Sequence, residues 1–137
     1  MSSEGIQALA NQWAADLESW ALPQEILDQA PEVPWKHPVA MFTVAPPHTP
    51  IPESLSHQRA RVVLESGGSV LDVGSGGGRA SMAITPPAGT LTAVDHQQEM
   101  LDEFHKAAET RGAIVHSYLG DWPDVAALVP EADVVVC

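Results

Sequence analysis

The chain has few cysteines and few basic residues, and each shortage excludes a class of protein. Its one cysteine, Cys137, rules out a disulfide framework within the chain and suits a reducing cytoplasm. Six Lys and Arg stand against 18 Asp and Glu, which gives a formal net charge of −12. This charge repels phosphate backbones and anionic lipid surfaces, so we expect no nucleic-acid partner and no membrane partner.

Long apolar runs and metal-ligand patterns are also missing. No run is long enough to span a bilayer, and the N-terminus lacks the basic and apolar regions of a secretory signal. We predict no metal site, because no metal-ligand spacing connects His37, His48, His57, His105 and His116. Apolar residues nevertheless make up 45% of the 137 residues, enough for one packed domain.

The first 52 residues predict a helical cap followed by a proline-rich segment. Apolar residues between Ile6 and Trp20 recur at helical spacing over residues 5–22, and Pro23 favours the start of a second short helix over 23–29. Seven prolines between residues 31 and 52 interrupt any regular element. This segment carries Trp35, Met41 and Phe42, so we expect it to lie across a surface.

Residues 53–137 predict an α/β fold with a parallel sheet of about four strands, Rossmann-like and flanked by helices. The continuous apolar strands are typical of burial on both faces. We expect Leu55, Val62 and Val63 to face inward from the first helix. The predicted strands are 69–73, 91–94, 113–118 and 132–136, and the predicted helices are 53–66, 78–84, 97–110 and 123–129.

The strongest functional signal is a glycine-rich loop that follows the first strand. It runs from Gly74 through Ser75 and Gly76 to Gly78, and glycine lets a ligand approach bare backbone. Open α/β sheets bind ligands at the carboxyl ends of their strands, where this loop lies. The free N–H groups at the start of the next helix favour a nucleotide-like ligand there. The alternative is a tight strand-to-helix turn.

Two carboxylates after neighbouring strands support a ligand site. Asp95 ends the second strand and is placed to accept hydrogen bonds from ribose hydroxyls; alternatively it caps the following helix. Asp121 and Trp122 follow the third strand, where a carboxylate and a backbone N–H can read an adenine edge. Their alternative is also a helix cap, with Pro123 as the first helical residue.

The spacing of these groups suits S-adenosylmethionine better than a dinucleotide. The glycines do not follow the G-x-G-x-x-G pattern, and an acid beside a pyrophosphate would be unfavourable. Asp72, just ahead of the loop, would instead favour the binding of a ligand's ammonium group. An NAD(P)-dependent oxidoreductase domain is the alternative, and Asp72 can also be a buried carboxylate that caps the loop amides.

These motifs resemble the first three motifs of class I S-adenosylmethionine-dependent methyltransferases over about residues 53–137. The stretch from Pro34-Trp35 to Phe42 resembles some members less specifically. The resemblance implies that the loop holds the methionine end, with Asp72 near the ammonium, and that Asp95 holds the ribose. It further implies that His96 and Met100 flank the adenine and that Asp121 and Trp122 read its edge. His96 can equally be an exposed surface residue, and the Trp13 and Trp20 face can be core or a lid.

The resemblance also implies strands beyond the fourth, so we expect a chain shortened after that strand. Its apolar edge would favour self-association. The expected function is methyl transfer to a small-molecule acceptor in the cytoplasm, with no catalytic residue assigned. A catalytically incomplete cofactor-binding module remains the other alternative.

Overall fold

The computed structural model describes residues 3–31, 36–64 and 66–137, and the chain divides into two compact units, Met1–His37 and Pro38–Cys137. Pro34 and Trp35, singled out in the sequence, lie outside the described residues. No helix in the described ranges is both long and apolar enough to cross a membrane.

The first unit contains helix α1, Ser3–Trp20, and the short helix α2, Gln24–Leu27, which begins after Pro23. Both predicted helices are therefore confirmed. The apolar stripe of α1 is exposed, however, and Trp20 is 76% exposed. The expectation that this stripe is core is not met here, because α2 has only 4 residues and is too short to bury it.

The second unit is built on a parallel sheet of four strands in the order β3-β2-β1-β4. The central strand β1 pairs with β2 on one side and with β4 on the other. This confirms the predicted parallel α/β architecture. The strands are β1, Ser69–Val73; β2, Thr90–Asp95; β3, Ile114–Leu119; and β4, Val134–Val136.

Two helices connect the first three strands. Helix α4, Arg79–Ala83, joins β1 to β2, and helix α5, Gln98–Glu109, joins β2 to β3. Helix α5 buries Met100, Leu101 and Phe104. A core cluster between these helices and the sheet includes Phe104 and Leu101 with Val70, Leu91 and Ile84. Valine- and leucine-rich strands form here because their branched side chains pack well on a pleated, buried surface.

Helix α3, Leu55–Val63, precedes the sheet, and Ser54 caps it by accepting a hydrogen bond from the His57 N–H at 3.2 Å. The prediction that Leu55, Val62 and Val63 face inward is wrong, since all three are largely exposed. The smaller Ala60 and the residue after the helix, Leu64, contact the core instead. Helical spacing alone did not reveal which side of this helix is buried.

Two other segments differ from regular helices. Residues 38–52 are irregular apart from a short 3-10 helix, Val39–Met41, as their prolines predicted. The helix expected over residues 123–129 is only a 3-10 turn, Ala126–Leu128. This turn belongs to the connection that leads from β3 to β4.

Candidate functional site

The glycine loop after β1 is fastened to the end of β2 by backbone hydrogen bonds. The N–H groups of Gly74 and Ser75 both donate to the Val94 carbonyl, at 2.9 and 3.0 Å. The Gly76 N–H donates to Asp95 Oδ2 at 2.8 Å. Three successive N–H groups are therefore occupied by protein acceptors, which fixes the loop at the carboxyl edge of the sheet.

The glycines of the loop have different physical roles. Gly78 has φ +91, and a side chain there would meet the Phe104 ring, with 2.7 Å to Cδ2. A side chain at Gly77 would collide with the Phe42 carbonyl. Gly74 has φ +69, and a Cβ there would meet no atom within 4 Å. Gly77 and Gly78 thus allow close packing within the protein, whereas Gly74 presents bare backbone to open space.

Asp95 lies at the centre of the site. Its Oδ2 accepts from the glycine loop, and its Oδ1 accepts the Gln97 N–H at 2.9 Å, just before α5. The residue is 7% exposed. Each carboxylate oxygen has two lone pairs, so one on each oxygen is still available to a ligand hydroxyl. Asp95 therefore anchors the entrance to α5 without losing the capacity to bind a ribose.

Asp72 lies deeper, on β1, and is 2% exposed. Its Oδ2 accepts the Ser81 hydroxyl at 2.6 Å, and the Ser81 N–H adds a backbone hydrogen bond. Burial raises the pKa of this carboxyl from 3.8 to about 6; the Ser81 bonds oppose the rise, and the charge of Asp95 adds to it. Asp72 is therefore a buried carboxylate, but it binds Ser81 in the first turn of α4, whereas the alternative had it cap the loop amides.

The residues expected to flank an adenine differ in exposure. His96 is on the surface, with Nδ1 3.9 Å from Asp95 Oδ1 and about half of its side chain exposed. Met100 is buried, at 3% exposure. His96 is thus accessible to a ligand at the end of β2, whereas Met100 supports the start of α5 from inside.

Asp121 and Trp122 follow β3 and lie near the carboxyl end of β2. The Gly120 N–H donates to the Asp95 carbonyl at 3.0 Å, and this bond brings the segment against the end of β2. Both Asp121 and Trp122 are exposed, and within the described part of the chain the Asp121 carboxylate has no hydrogen-bond partner. No helix begins at Pro123, so the structure gives no support to the helix-cap alternative.

A cavity of about 250 Å³ opens beside the glycine loop. Residues 41–43 form its outer wall, and Arg79, the first residue of α4, lies on its rim. Sequence reasoning did not assign Met41, Phe42, Thr43 or Arg79 to the site. The proline-rich stretch has no periodicity that would show where it packs, although its apolar composition indicated a surface to cover.

The arrangement fits S-adenosylmethionine and opposes a dinucleotide. A pyrophosphate needs free backbone N–H groups, yet those of Gly74, Ser75 and Gly76 already have acceptors. It would also lie close to the carboxylates of Asp95 and Asp72. S-adenosylmethionine has one carboxylate in place of a doubly charged pyrophosphate, and its ammonium and ribose hydroxyls can interact favourably with the carboxylates, so both obstacles are smaller for it. The parallel sheet, the bare glycine backbone and the carboxylate at the end of β2 therefore define a Rossmann-like domain of the S-adenosylmethionine-binding class.

Residues 70–137 match the family described as a methyltransferase domain. This match confirms the resemblance to class I S-adenosylmethionine-dependent methyltransferases. S-adenosylmethionine is the methyl donor that this match implies. No curated protein matches the chain.

Solved structures similar to the chain include the following three. The C-terminal domain of precorrin-6Y C5,15-methyltransferase from Rhodobacter capsulatus is 20% identical over 56% of this chain and 42% of that chain, with a TM-score of 0.48. Precorrin 8W decarboxylase from Methanobacterium thermoautotrophicum is 20% identical over 69% and 54%, with a TM-score of 0.48. The YcgJ protein from Bacillus subtilis is 26% identical over 48% and 30%, with a TM-score of 0.39. The chain spans about half or less of the length of these structures.

Proposed function

We propose that the protein containing this chain transfers a methyl group from S-adenosylmethionine to a small-molecule acceptor. The observation that carries the proposal is the position of Asp95, which binds the glycine loop through one oxygen and the start of α5 through the other. A carboxylate held in this way is fixed before any ligand arrives, and preorganised acceptors bind ligand hydroxyls at little entropic cost.

Each predicted residue has a proposed role that agrees with its accessibility. Asp95 accepts from the ribose hydroxyls, His96 lies along the adenine, and Asp121 with the Trp122 N–H reads the adenine edge. Gly74 and Gly76 give the methionine end access to bare backbone. Asp95 is itself buried but lies at the end of β2, and the other buried members of the predicted set are Asp72, Ser75, Gly78 and Met100. We propose that they hold the loop and the start of α5 in place, with Asp72 also contributing negative charge near the ammonium.

Methyl transfer makes modest chemical demands on the protein. The cofactor supplies an activated methyl group on a sulfonium, so this chain contributes binding, orientation and exclusion of water. A general base is needed only where the acceptor loses a proton, and no residue of the site is assigned to that role.

The net charge of −12 favours a small molecule over a nucleic acid as acceptor. The one cysteine is compatible with a reducing cytoplasm, which we propose as the location.

Calorimetric titration tests the proposal directly. The wild-type chain is expected to bind S-adenosylmethionine and S-adenosylhomocysteine and to leave NADH unbound. Asp95→Asn should weaken S-adenosylhomocysteine binding at least about fivefold, because a charge-assisted hydrogen bond to the ribose is lost. Asp102→Asn, an equal charge change on the exposed side of α5, is the control and should have no effect. Unchanged affinity in Asp95→Asn would leave Asp95 only as an anchor of the loop and helix.

A further inference from the structure

Arg79 is a basic residue whose position connects two cavities. It lies on the rim of the 250 Å³ cavity beside the glycine loop, and it also lines a neighbouring cavity of about 230 Å³ formed by residues 43–45 and 49–52. Arg79 and Thr43 line both cavities and therefore lie at their common boundary. Arg79 is the one charged residue among those that line either cavity.

The guanidinium of Arg79 has no partner within the described ranges of the chain, and the side chain is exposed. Among the other basic residues of this unit, Arg59 on α3 is likewise without a partner in the described ranges, whereas Arg61, Lys106 and Arg111 are engaged. Arg61 donates to Glu53 and to the Ala83 carbonyl, Lys106 to Glu103, and Arg111 to the carbonyls of Ala107 and Ala45. In a chain with a net charge of −12, an unpaired cation at a cavity rim marks a place where an anion is favoured.

The chemistry of the cofactor supplies one anionic group for this position. S-adenosylmethionine has no phosphate, and its single negative charge is the carboxylate of its methionine end. Gly74 and Gly76, which line the same cavity, are the residues to which the proposed function assigns that end. Arginine suits a carboxylate well, because its planar fork can donate two parallel hydrogen bonds.

We propose that Arg79 binds the methionine carboxylate of the cofactor, an inference that depends on the proposed function of the site. Asp72 and Arg79 then form a matched pair across the loop, with the acid toward the ammonium and the guanidinium toward the carboxylate. Arg79 thereby selects for the amino-acid end of the ligand, independently of the ribose and adenine contacts.

Two ligands separate this role from a general effect on the loop. S-adenosylhomocysteine carries both the amine and the carboxylate, whereas S-adenosyl-3-thiopropylamine keeps the amine and lacks only the carboxylate. Calorimetry on the full chain should show that Arg79→Gln weakens S-adenosylhomocysteine binding roughly tenfold, as expected for a lost charge-assisted bond. The same variant should bind S-adenosyl-3-thiopropylamine within about twofold of wild type, and Arg79→Lys should fall between Arg79→Gln and wild type.

Arg59→Gln is the matched control. Arg59 is also exposed and without a partner in the described part of the chain, but it lies on α3 beside a different cavity. This variant should bind both ligands as wild type does. Thermal melts without ligand should show that Arg79→Gln folds normally.

The outcomes distinguish this inference from the function on which it depends. Equal weakening of both ligands in Arg79→Gln would make Arg79 a structural residue of the loop, and unchanged binding of both would leave it without a role. Either result overturns the inference while the cofactor assignment stands. Failure of the wild-type chain to bind S-adenosylhomocysteine would overturn both.

Discussion

Asp72 is an ionisable group whose stability contribution depends on pH. Burial raises its pKa from 3.8 to about 6, so between these values the folded chain binds more protons than the unfolded chain. Stability linked to this group therefore falls as pH rises through that window and is constant above it. The direction is opposite to that of a carboxylate in a salt bridge, which becomes more stabilising as pH rises.

Asp72→Asn should remove this pH dependence. The amide oxygen still accepts from Ser81, but the buried negative charge is gone. Between about pH 5 and pH 7, we expect the free energy of unfolding of wild type to fall by roughly 1 kcal/mol more than that of Asp72→Asn. Urea denaturation across that range measures it, at low protein concentration because the sequence pI is about 4.6. Asp102→Asn provides an exposed control, and parallel pH profiles for Asp72→Asn and wild type would contradict the prediction.

At the scale of elements, α5 connects the core to the ligand loop. Phe104 is fully buried, and its ring lies where a side chain at Gly78 would be. The ring therefore supports the glycine loop from behind. Any loss of volume at this position is felt both in the core and in the loop, because protein interiors are close-packed.

Phe104→Leu should destabilise the fold and loosen the loop together. We expect a loss of roughly 1–3 kcal/mol in the free energy of unfolding, smaller than for truncation to alanine. Affinity for S-adenosylhomocysteine should fall in the same variant, since Gly78 loses its support. Leu55→Ala, on the exposed side of α3, should change stability by less than about 0.5 kcal/mol. Urea denaturation and calorimetry on both variants check this. Wild-type affinity in Phe104→Leu would show that the loop does not depend on α5.

Some elements could be predicted because a local sequence pattern specifies them, whereas others depend on tertiary packing. Strands β1 and β2 and the glycine loop were predictable, because apolar strands and loop glycines are local patterns with few alternatives. The inward face of α3 was not, because Ala60 and Leu64 compete with larger side chains and only tertiary packing decides between them. The same holds for the regular helix expected after Asp121, which is a 3-10 turn.

In the candidate site, too, some features could be predicted from local sequence and others depend on the fold. The residues that end each strand could be placed at one edge of the sheet from their order in the chain alone. The hydrogen bond from Gly76 to Asp95 joins residues 19 positions apart and depends on strand register, which no local pattern specifies. The packing of Phe42 over Gly77 likewise required the fold, because residues 38–52 contain no regular repeat.

For the molecule as a whole, the two edges of the sheet differ in character. One edge, β3, includes the polar His116 and Ser117, whereas the other, β4, consists of Val134–Val136. Val135 is 62% exposed, and a cavity of about 590 Å³ lies beside β4, between it and helices α3 and α4. An exposed apolar edge strand is a template for pairing with another strand, so self-association through β4 remains our proposal.

Val135→Lys should reduce this association. A charged side chain on an edge strand opposes strand pairing, because its ammonium would lose water as a second chain approaches. We expect the wild-type chain to sediment partly as a dimer or larger species at tens of micromolar, and Val135→Lys to sediment as a monomer with similar secondary structure. Ile114→Lys places the same charge on an exposed position of β3 and should leave association unchanged. If Ile114→Lys abolishes association and Val135→Lys does not, the contact lies at the β3 edge instead; a monomeric wild-type chain would contradict the proposal for both edges.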